Sequence, residues 1–173
     1  MNVILCGMMG AGKTTIGIKI AELTGRRWYD TDGCIVDKHG KISDIFEYYG
    51  EAHFRKLETE IVKELSQKDG LVISSGGGLV LKKENNELLQ RNGKIVFLRA
   101  TVETLAKRLK VDGERPLLQT STESIRQRLE RLLKERMPVY EHVADLIVDV
   151  DGKTPEEIAK EVVQKIETSG AGI

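Results

Sequence analysis

The chain has 173 residues, of which 40% are hydrophobic and 31% charged, so it suits one compact domain whose core needs no metal or disulfide. Its 27 lysines and arginines balance 27 aspartates and glutamates, which argues against bulk attraction to nucleic acid or membranes and, with the modest length, favours a monomer. The two cysteines lack metal or disulfide spacing, and neither a signal peptide nor a long apolar span is evident, so we expect a cytoplasmic protein.

Short apolar segments rich in valine and isoleucine alternate with longer helical patterns. Strands covered on both faces have such continuous apolar runs, and they are predicted at 2–6, 27–30, 71–74, 94–98 and 145–150. Helices are predicted at 13–25 with Gly25 as C-cap, 44–68, 84–92, 102–110, 121–141 and 155–166. This alternation predicts an α/β fold with a parallel sheet between two layers of helices.

Two segments interrupt this alternation. Residues 31–70 separate the second and third strands and are long enough for a small helical insertion. Residues 110–122 form a polar connection that contains Gly113 and Pro116. Long connections in compact domains are usually functional or disordered, so either interpretation applies to these segments at this point.

The segment "GMMGAGKT" (7–14) fits the pattern G-x-x-x-x-G-K-[ST] and lies between a predicted strand and a predicted helix. Glycines let backbone N–H groups curl around a polyphosphate, and the helix N-terminus adds donors and partial positive charge. Lys13 can reach the β- and γ-phosphates, and the Thr14 hydroxyl can bind Mg²⁺. A glycine-rich turn without a ligand would not require these flanking elements, so the pattern predicts a nucleoside triphosphate site.

The segment "DTDG" (30–33) closes the second predicted strand. Residues two apart on an extended chain point the same way, so Asp30 and Asp32 are both expected to face the ligand crevice at the strand end. One carboxylate can serve Mg²⁺ while the other orients or deprotonates an attacking hydroxyl. A helix N-cap with a turn is the structural alternative. The segment also fits the D-x-x-G of GTPases, but no N-K-x-D guanine motif accompanies it.

Arginines and glycines farther along the chain indicate an anionic acceptor. Arg55 in "FRKLE" would by itself be an ordinary solvated charge, and Gly76, Gly77 and Gly78 follow the third strand. Consecutive glycines there are costly unless the backbone approaches another group or turns at positive φ. Arg115 lies in "ERPLL", and Arg136 stands just before Pro138. Arginine suits both a transferring phosphate and a carboxylate, which it can bind with two parallel hydrogen bonds.

The ordered set "GMMGAGKTT", "DTD", "FRKLE", "GGG", "RPLL" and "RMPVY" resembles the shikimate kinase family, over about residues 2–167. The resemblance implies a three-layer P-loop kinase fold like that of nucleoside monophosphate kinases, with a five-stranded parallel sheet in the order 2-3-1-4-5. It implies a single kinase domain over residues 1–173, with a substrate-binding insertion at about 32–62 and a mobile lid at about 110–122.

The implied reaction transfers the γ-phosphate of ATP to the 3-hydroxyl of shikimate, in chorismate and aromatic amino acid biosynthesis. Lys13, Asp32 and Arg115 match the catalytic positions, and Mg²⁺ would be held by Thr14 and, through water, by Asp30. The positions implied for ATP are Gly10, Ala11, Gly12, Lys13, Thr14, Thr15, Arg108, Arg115 and Pro155. Those implied for shikimate are Asp32, Arg55, Gly76, Gly77, Gly78, Arg136, Phe46 and Phe54, the two phenylalanines as apolar walls.

Three other functions stay open at this point. A kinase for another small hydroxy acid, such as gluconate, would keep the fold and the P-loop, but Arg55, Arg136 and the three glycines together argue against it. A nucleoside monophosphate kinase would have different acceptor motifs. A nucleotide-dependent binding module without turnover could lack Lys13 or Asp32, and this chain has both.

Overall fold

A computed structural model describes residues 1–111 and 124–170 of the chain. Five strands and seven α-helices alternate along these residues, with a short 3-10 turn at Leu79–Leu81. In chain order they are β1 Asn2–Cys6, α1 Lys13–Thr24, β2 Arg27–Asp30, α2 Thr31–His39, α3 Ile42–Leu65, β3 Leu71–Ser74, α4 Lys83–Gln90, β4 Gly93–Arg99, α5 Val102–Val111, α6 Ile125–Val143, β5 Leu146–Asp149 and α7 Pro155–Thr168.

The strands form one parallel sheet in the order β2-β3-β1-β4-β5, as the family resemblance implies. Every residue of the central strand β1 is buried, including Cys6, which confirms its expected place in the core. Helices α1 and α7 pack against each other, while α4 and α6 both contact β4, so helices flank the sheet. All the strands are parallel, so their carboxyl ends and the loops that follow share one edge.

Caps at the helix ends follow the sequence signals closely. Gly25 ends α1 with φ 66°, and Thr154 forms a capping box with Glu157 ahead of Pro155, the first residue of α7. Helix α6 has a second capping box, between Ser124 and Gln127, and it continues beyond Pro138 to Val143.

Helix α2 differs from the prediction, in which the first helix after β2 starts at residue 44. Only Thr31 and Ile35 of α2 are buried, so its apolar periodicity is weak, and Gly33 lowers its helix propensity. The helix depends instead on capping by Asp30 and on packing against α3. Helix α3 bends at Gly50, which has φ 79° and ψ 172°. None of the helices in the described ranges combines the length and the apolar character that a membrane crossing requires.

Candidate active site

The P-loop connects β1 to α1 at the carboxyl edge of the sheet. Gly10 and Gly12 have φ of 81° and 95°, a left-handed backbone that side chains other than glycine rarely adopt. The Lys13 ammonium donates to the carbonyl oxygens of Gly7 and Met8, both at 2.9 Å. Ala11 is buried, and its amide donates to the Met8 carbonyl at 3.1 Å. The loop therefore curves around the Lys13 side chain at the N-terminus of α1, a position where bound anions are stabilised.

Asp30 caps a helix and also contacts the start of α1. Its Oδ1 accepts from the backbone amides of Asp32 (3.0 Å) and Gly33 (3.1 Å), which caps α2. Its Oδ2 accepts from the Thr14 hydroxyl at 3.1 Å. A hydroxyl and a carboxylate oxygen thus meet beside the P-loop, and oxygen donors of this kind are what Mg²⁺ prefers in kinase sites.

Asp32 lies in the first turn of α2, and the expectation that it extends β2 is wrong, because the strand ends at Asp30. Both carboxylates nevertheless line the same cleft. The start of α2 is bonded to the glycine loop that follows β3 (Gly76 to Gly78), since Thr31 Oγ1 accepts from the Gly76 amide at 2.9 Å. A Cβ atom at Gly76 would lie 2.6 Å from Asp32 Oδ1, so only glycine lets the backbone come this close to the carboxylate.

Arg55 on α3 is held by two carboxylates of different exposure. Its Nη1 donates to Glu58 Oε2 at 2.8 Å and its Nη2 to Glu51 Oε1 at 3.0 Å. The Glu58 side chain is 1% exposed, whereas that of Glu51 is 65% exposed. Burial raises the pKa of Glu58 against the opposing effect of Arg55. Burial also lowers the pKa of Arg55, but the hydrogen bonds and charges of Glu58 and Glu51 outweigh it and raise that pKa overall.

The glycine loop after β3 brings the two predicted arginines to one place. A Cβ atom at Gly78 would lie 2.5 Å from Arg55 Nη1, and one at Gly77 would lie 3.6 Å from Arg136 Nη1. None of the three glycines has positive φ, so close approach rather than a special turn explains them. The Tyr140 hydroxyl on α6 donates to the Gly77 carbonyl at 2.6 Å, which ties α6 to this loop.

Phe46 and Phe54 form a tilted aromatic pair on α3, with ring centroids 4.9 Å apart. The guanidinium carbon of Arg55 lies 5.4 Å from the Phe54 ring centroid, within cation–π range. The two phenylalanines therefore give the arginine side of the site an apolar border.

A cleft of about 1300 Å³ joins these parts. It is lined by residues predicted for ATP and by residues predicted for the acceptor, namely Gly10, Gly12, Lys13, Thr14, Thr15, Asp30, Asp32, Phe46, Phe54, Arg55, Gly76, Gly77, Gly78, Arg108, Arg136 and Pro155. Ala11 does not line it, because its side chain packs inward. Arg115 and nearly all of the predicted lid, 112–122, lie outside the described residues.

Glu58 was not among the predicted site residues, although it also lines the cleft. Residues three apart on a helix are neighbours, so the spacing of Arg55 and Glu58 in "FRKLE" already predicts an ion pair. What the spacing does not reveal is that the carboxylate is buried. Val36 and Ile42 line the cleft as well, and no motif marks them.

Comparison with known proteins shows the family of the chain. The family model described as shikimate kinase matches residues 9–167. The shikimate kinase of Histophilus somni is 43% identical over 167 residues, covering 96% of this chain and 95% of its own length. That of Thermodesulfovibrio yellowstonii is 41% identical over 172 residues, covering 99% and 98%. The structure of shikimate kinase from Acinetobacter baumannii in complex with shikimate has a TM-score of 0.91 and 39% identity, covering 97% of this chain and 93% of that one. From the matched length and the level of identity it follows that the chain belongs to the shikimate kinase family.

Proposed function

We propose that this protein transfers the γ-phosphoryl group of ATP to the 3-hydroxyl of shikimate, giving 3-phosphoshikimate and ADP, in chorismate biosynthesis. The observation that carries the proposal is one cleft that contains both a P-loop and two arginines converging on a glycine loop beside Asp32. The first half suits a polyphosphate, and the second suits a small hydroxy acid. We further propose that the protein acts in the cytoplasm as a monomer.

On the acceptor side, Arg55 and Arg136 bind the shikimate carboxylate. The guanidinium of Arg55 lies against Gly78 and that of Arg136 lies near the adjacent Gly77, so they can bind one anion from two directions. Gly76, Gly77 and Gly78 line the acceptor pocket, and Phe46 with Phe54 borders the apolar ring face. Residues 32–62, which contain most of these side chains, are the substrate-binding insertion of a single kinase domain.

Asp32 orients the acceptor hydroxyl and takes its proton. Its position against Gly76, at the junction of the phosphate and acceptor halves, supports this role. A carboxylate at this point can align the hydroxyl oxygen with the terminal phosphate, and such positioning contributes most of the catalysis in phosphoryl transfer.

On the nucleotide side, the amides of Gly10 to Thr15 surround the phosphates, and Lys13 turns from its own loop carbonyls toward them. Arg108 and Pro155 enclose the adenine ring. Thr14 and, through water, Asp30 would hold Mg²⁺, and the hydrogen bond between their side chains supports this pairing. When bound, Mg²⁺ neutralises charge on the phosphates. The family resemblance implies that Arg115, which lies outside the described residues, also serves the phosphates.

An ADP-release assay tests the proposal, with shikimate, gluconate and AMP offered in parallel at equal concentration. We expect ADP to form rapidly with shikimate alone. Turnover with gluconate or AMP in its place would indicate one of the alternative kinases, and ATP binding without turnover on any acceptor would indicate a binding module. Analysis of the product by phosphorus NMR distinguishes transfer to the 3-hydroxyl from transfer to another oxygen.

A further inference from the structure

Helix α5 packs directly on the P-loop. Its residues Leu105 and Leu109 are buried, and a Cβ atom at Gly10 would lie 3.2 Å from Leu109 Cγ and 3.5 Å from the Leu105 carbonyl oxygen. These distances leave no room for a side chain between the loop and the helix. The position of α5 therefore determines the space in which the P-loop lies.

Arg108 extends from the same face of α5 to the loop backbone. Its Nη1 donates to the carbonyl oxygens of Ala11 at 3.1 Å and Gly10 at 3.3 Å. The same nitrogen would lie 3.4 Å from a Cβ atom at Gly12. Arg108 thus bonds two successive residues of the P-loop and lies beside a third, using the edge of its guanidinium group and leaving the planar face for another group.

Two cationic side chains thus bind different carbonyl groups of the P-loop. Lys13 takes the carbonyls of Gly7 and Met8, and Arg108 takes those of Gly10 and Ala11. A loop that binds phosphate through its N–H groups must direct its carbonyls elsewhere, because each peptide unit presents the two groups in opposite directions. The Ala11 carbonyl belongs to the same peptide unit as the Gly12 amide, so the bond from Arg108 fixes the direction of that amide beside the cleft, while the Ala11 amide donates to the Met8 carbonyl.

We propose that Arg108 is a positioning residue for the phosphate cradle, which it holds by binding the carbonyls of Gly10 and Ala11 from α5. This role is separate from enclosing adenine, and it rests on the proposed function of the P-loop in binding ATP. Lys13 must leave its carbonyls to reach the phosphates, whereas Arg108 can keep its bonds throughout. The cradle then stays ordered before nucleotide binds, which lowers the entropic cost of binding.

Inorganic tripolyphosphate separates the two roles, because it has phosphates but no adenine. Its affinity and that of MgATP are measured calorimetrically for the wild type and for Arg108→Met, which keeps an unbranched apolar stem but donates no hydrogen bond. We expect Arg108→Met to weaken tripolyphosphate binding about tenfold, near the lower end for a charge-assisted hydrogen bond. Arg108→Lys should restore most of it, since an ammonium group already holds two carbonyls in this loop. Amide exchange at residues 9–12 of the ligand-free protein should be faster in Arg108→Met.

Two variants serve as controls. Lys107→Met removes one positive charge from an exposed position of the same helix, and we expect it to change tripolyphosphate affinity less than about threefold. Pro155→Ala changes a residue of the expected adenine site, so it should weaken MgATP binding more than tripolyphosphate binding.

The inference is overturned if Arg108→Met weakens MgATP alone and leaves both tripolyphosphate affinity and amide exchange at wild-type values. A loss in Lys107→Met equal to that in Arg108→Met would also overturn it, since general charge would then be the cause. A wild type that binds neither ligand would instead contradict the proposed function of the P-loop.

Discussion

Two ion pairs hold Arg55, and at the scale of single residues they are not equivalent. Exposed pairs such as Arg55–Glu51 contribute little, because water screens them and their side chains lose freedom. Glu58 is buried, so its bond to Arg55 is poorly screened, and loss of that carboxylate charge leaves the guanidinium less firmly held. The orientation of Arg55 toward the glycine loop thus depends mainly on Glu58.

Glu58→Gln should therefore impair acceptor binding selectively. The amide keeps the shape of the side chain but lacks the charge that fixes Arg55, so we expect the KM for shikimate to rise about tenfold or more, as for loss of a charge-assisted hydrogen bond. The KM for ATP should stay nearly unchanged. Glu51→Gln is the matched control, and its effect should be under about threefold. Steady-state kinetics with each substrate varied in turn make the comparison; equal effects of the two variants would contradict the distinction.

Asp32→Asn tests the catalytic role proposed for that carboxylate. Asparagine retains the shape but cannot take a proton, so we expect turnover to fall by about 10²- to 10⁴-fold, the usual range for a general base. MgATP affinity should stay within about threefold, a difference under about 0.7 kcal/mol. Asp30→Asn is the companion variant. Asparagine caps helices as well as aspartate does, so α2 should remain while the magnesium requirement rises. Near-normal turnover in Asp32→Asn would reduce Asp32 to a hydroxyl anchor.

At the scale of secondary structure, α1 is held against the sheet by a small polar contact. The Trp28 indole on β2 donates to Ser74 Oγ at 3.0 Å, and that hydroxyl donates to the Lys13 carbonyl at 2.8 Å. The contact exists only because residue 17 has no side chain. A Cβ atom at Gly17 would lie 2.5 Å from Ser74 Oγ and 2.7 Å from Trp28 Nε1. The hydroxyl of Ser74 thus links β2, β3 and the first residue of α1.

Gly17→Ala should destabilise the protein although alanine favours helices. The gain in helix propensity is about 1 kcal/mol, but overpacking of a tight contact typically costs about 1–3 kcal/mol and here acts on the Trp28 ring and the Ser74 hydroxyl together. We expect a net loss of unfolding free energy and weaker MgATP binding, because a displaced α1 also moves Lys13. Urea unfolding followed by circular dichroism measures the first, and the fluorescence of Trp28, the single tryptophan, should change as well. A more stable variant would show that the contact is loose.

Local signals explain which elements could be predicted. The five strands and the P-loop have compact signatures, continuous apolar runs and fixed glycine positions, so they appear at or within one residue of the expected positions. Helix α2 has no such signature, because it depends on a cap and on packing against α3. The prediction that Asp32 continues the extended strand is wrong for the same reason, since Asp32 belongs to α2. The three glycines predicted either a close approach or a turn at positive φ, and the sequence does not say that Arg55, Arg136 and Asp32 are the groups approached.

At the scale of the whole molecule, Tyr140 connects the core to the glycine loop. Its ring stacks on Phe97 of β4 with centroids 5.0 Å apart, and its hydroxyl reaches the Gly77 carbonyl. The side chain is fully buried, and burial raises its pKa to about 12 against the opposing charge of Arg136. Burial also raises the pKa of the Cys6 thiol to about 12. The folded chain therefore keeps two protons that the unfolded chain releases at lower pH.

Global stability should accordingly decline in alkali, and Tyr140→Phe should isolate one part of the decline. Between pH 10, the ordinary pKa of tyrosine, and about 12, the unfolded state binds fewer protons, so the free energy of unfolding falls as pH rises. One pH unit into that window, near pH 11, the contribution of Tyr140 is about 1.4 kcal/mol. We expect Tyr140→Phe to be less stable than the wild type at pH 8, where it loses the bond to Gly77, and the deficit to shrink by about that amount near pH 11. Cys6 is present in both proteins, and Tyr49→Phe controls for the loss of an exposed phenol. Urea titrations at the two pH values measure the difference, and a deficit that stays constant would show that the Tyr140 proton is not linked to folding.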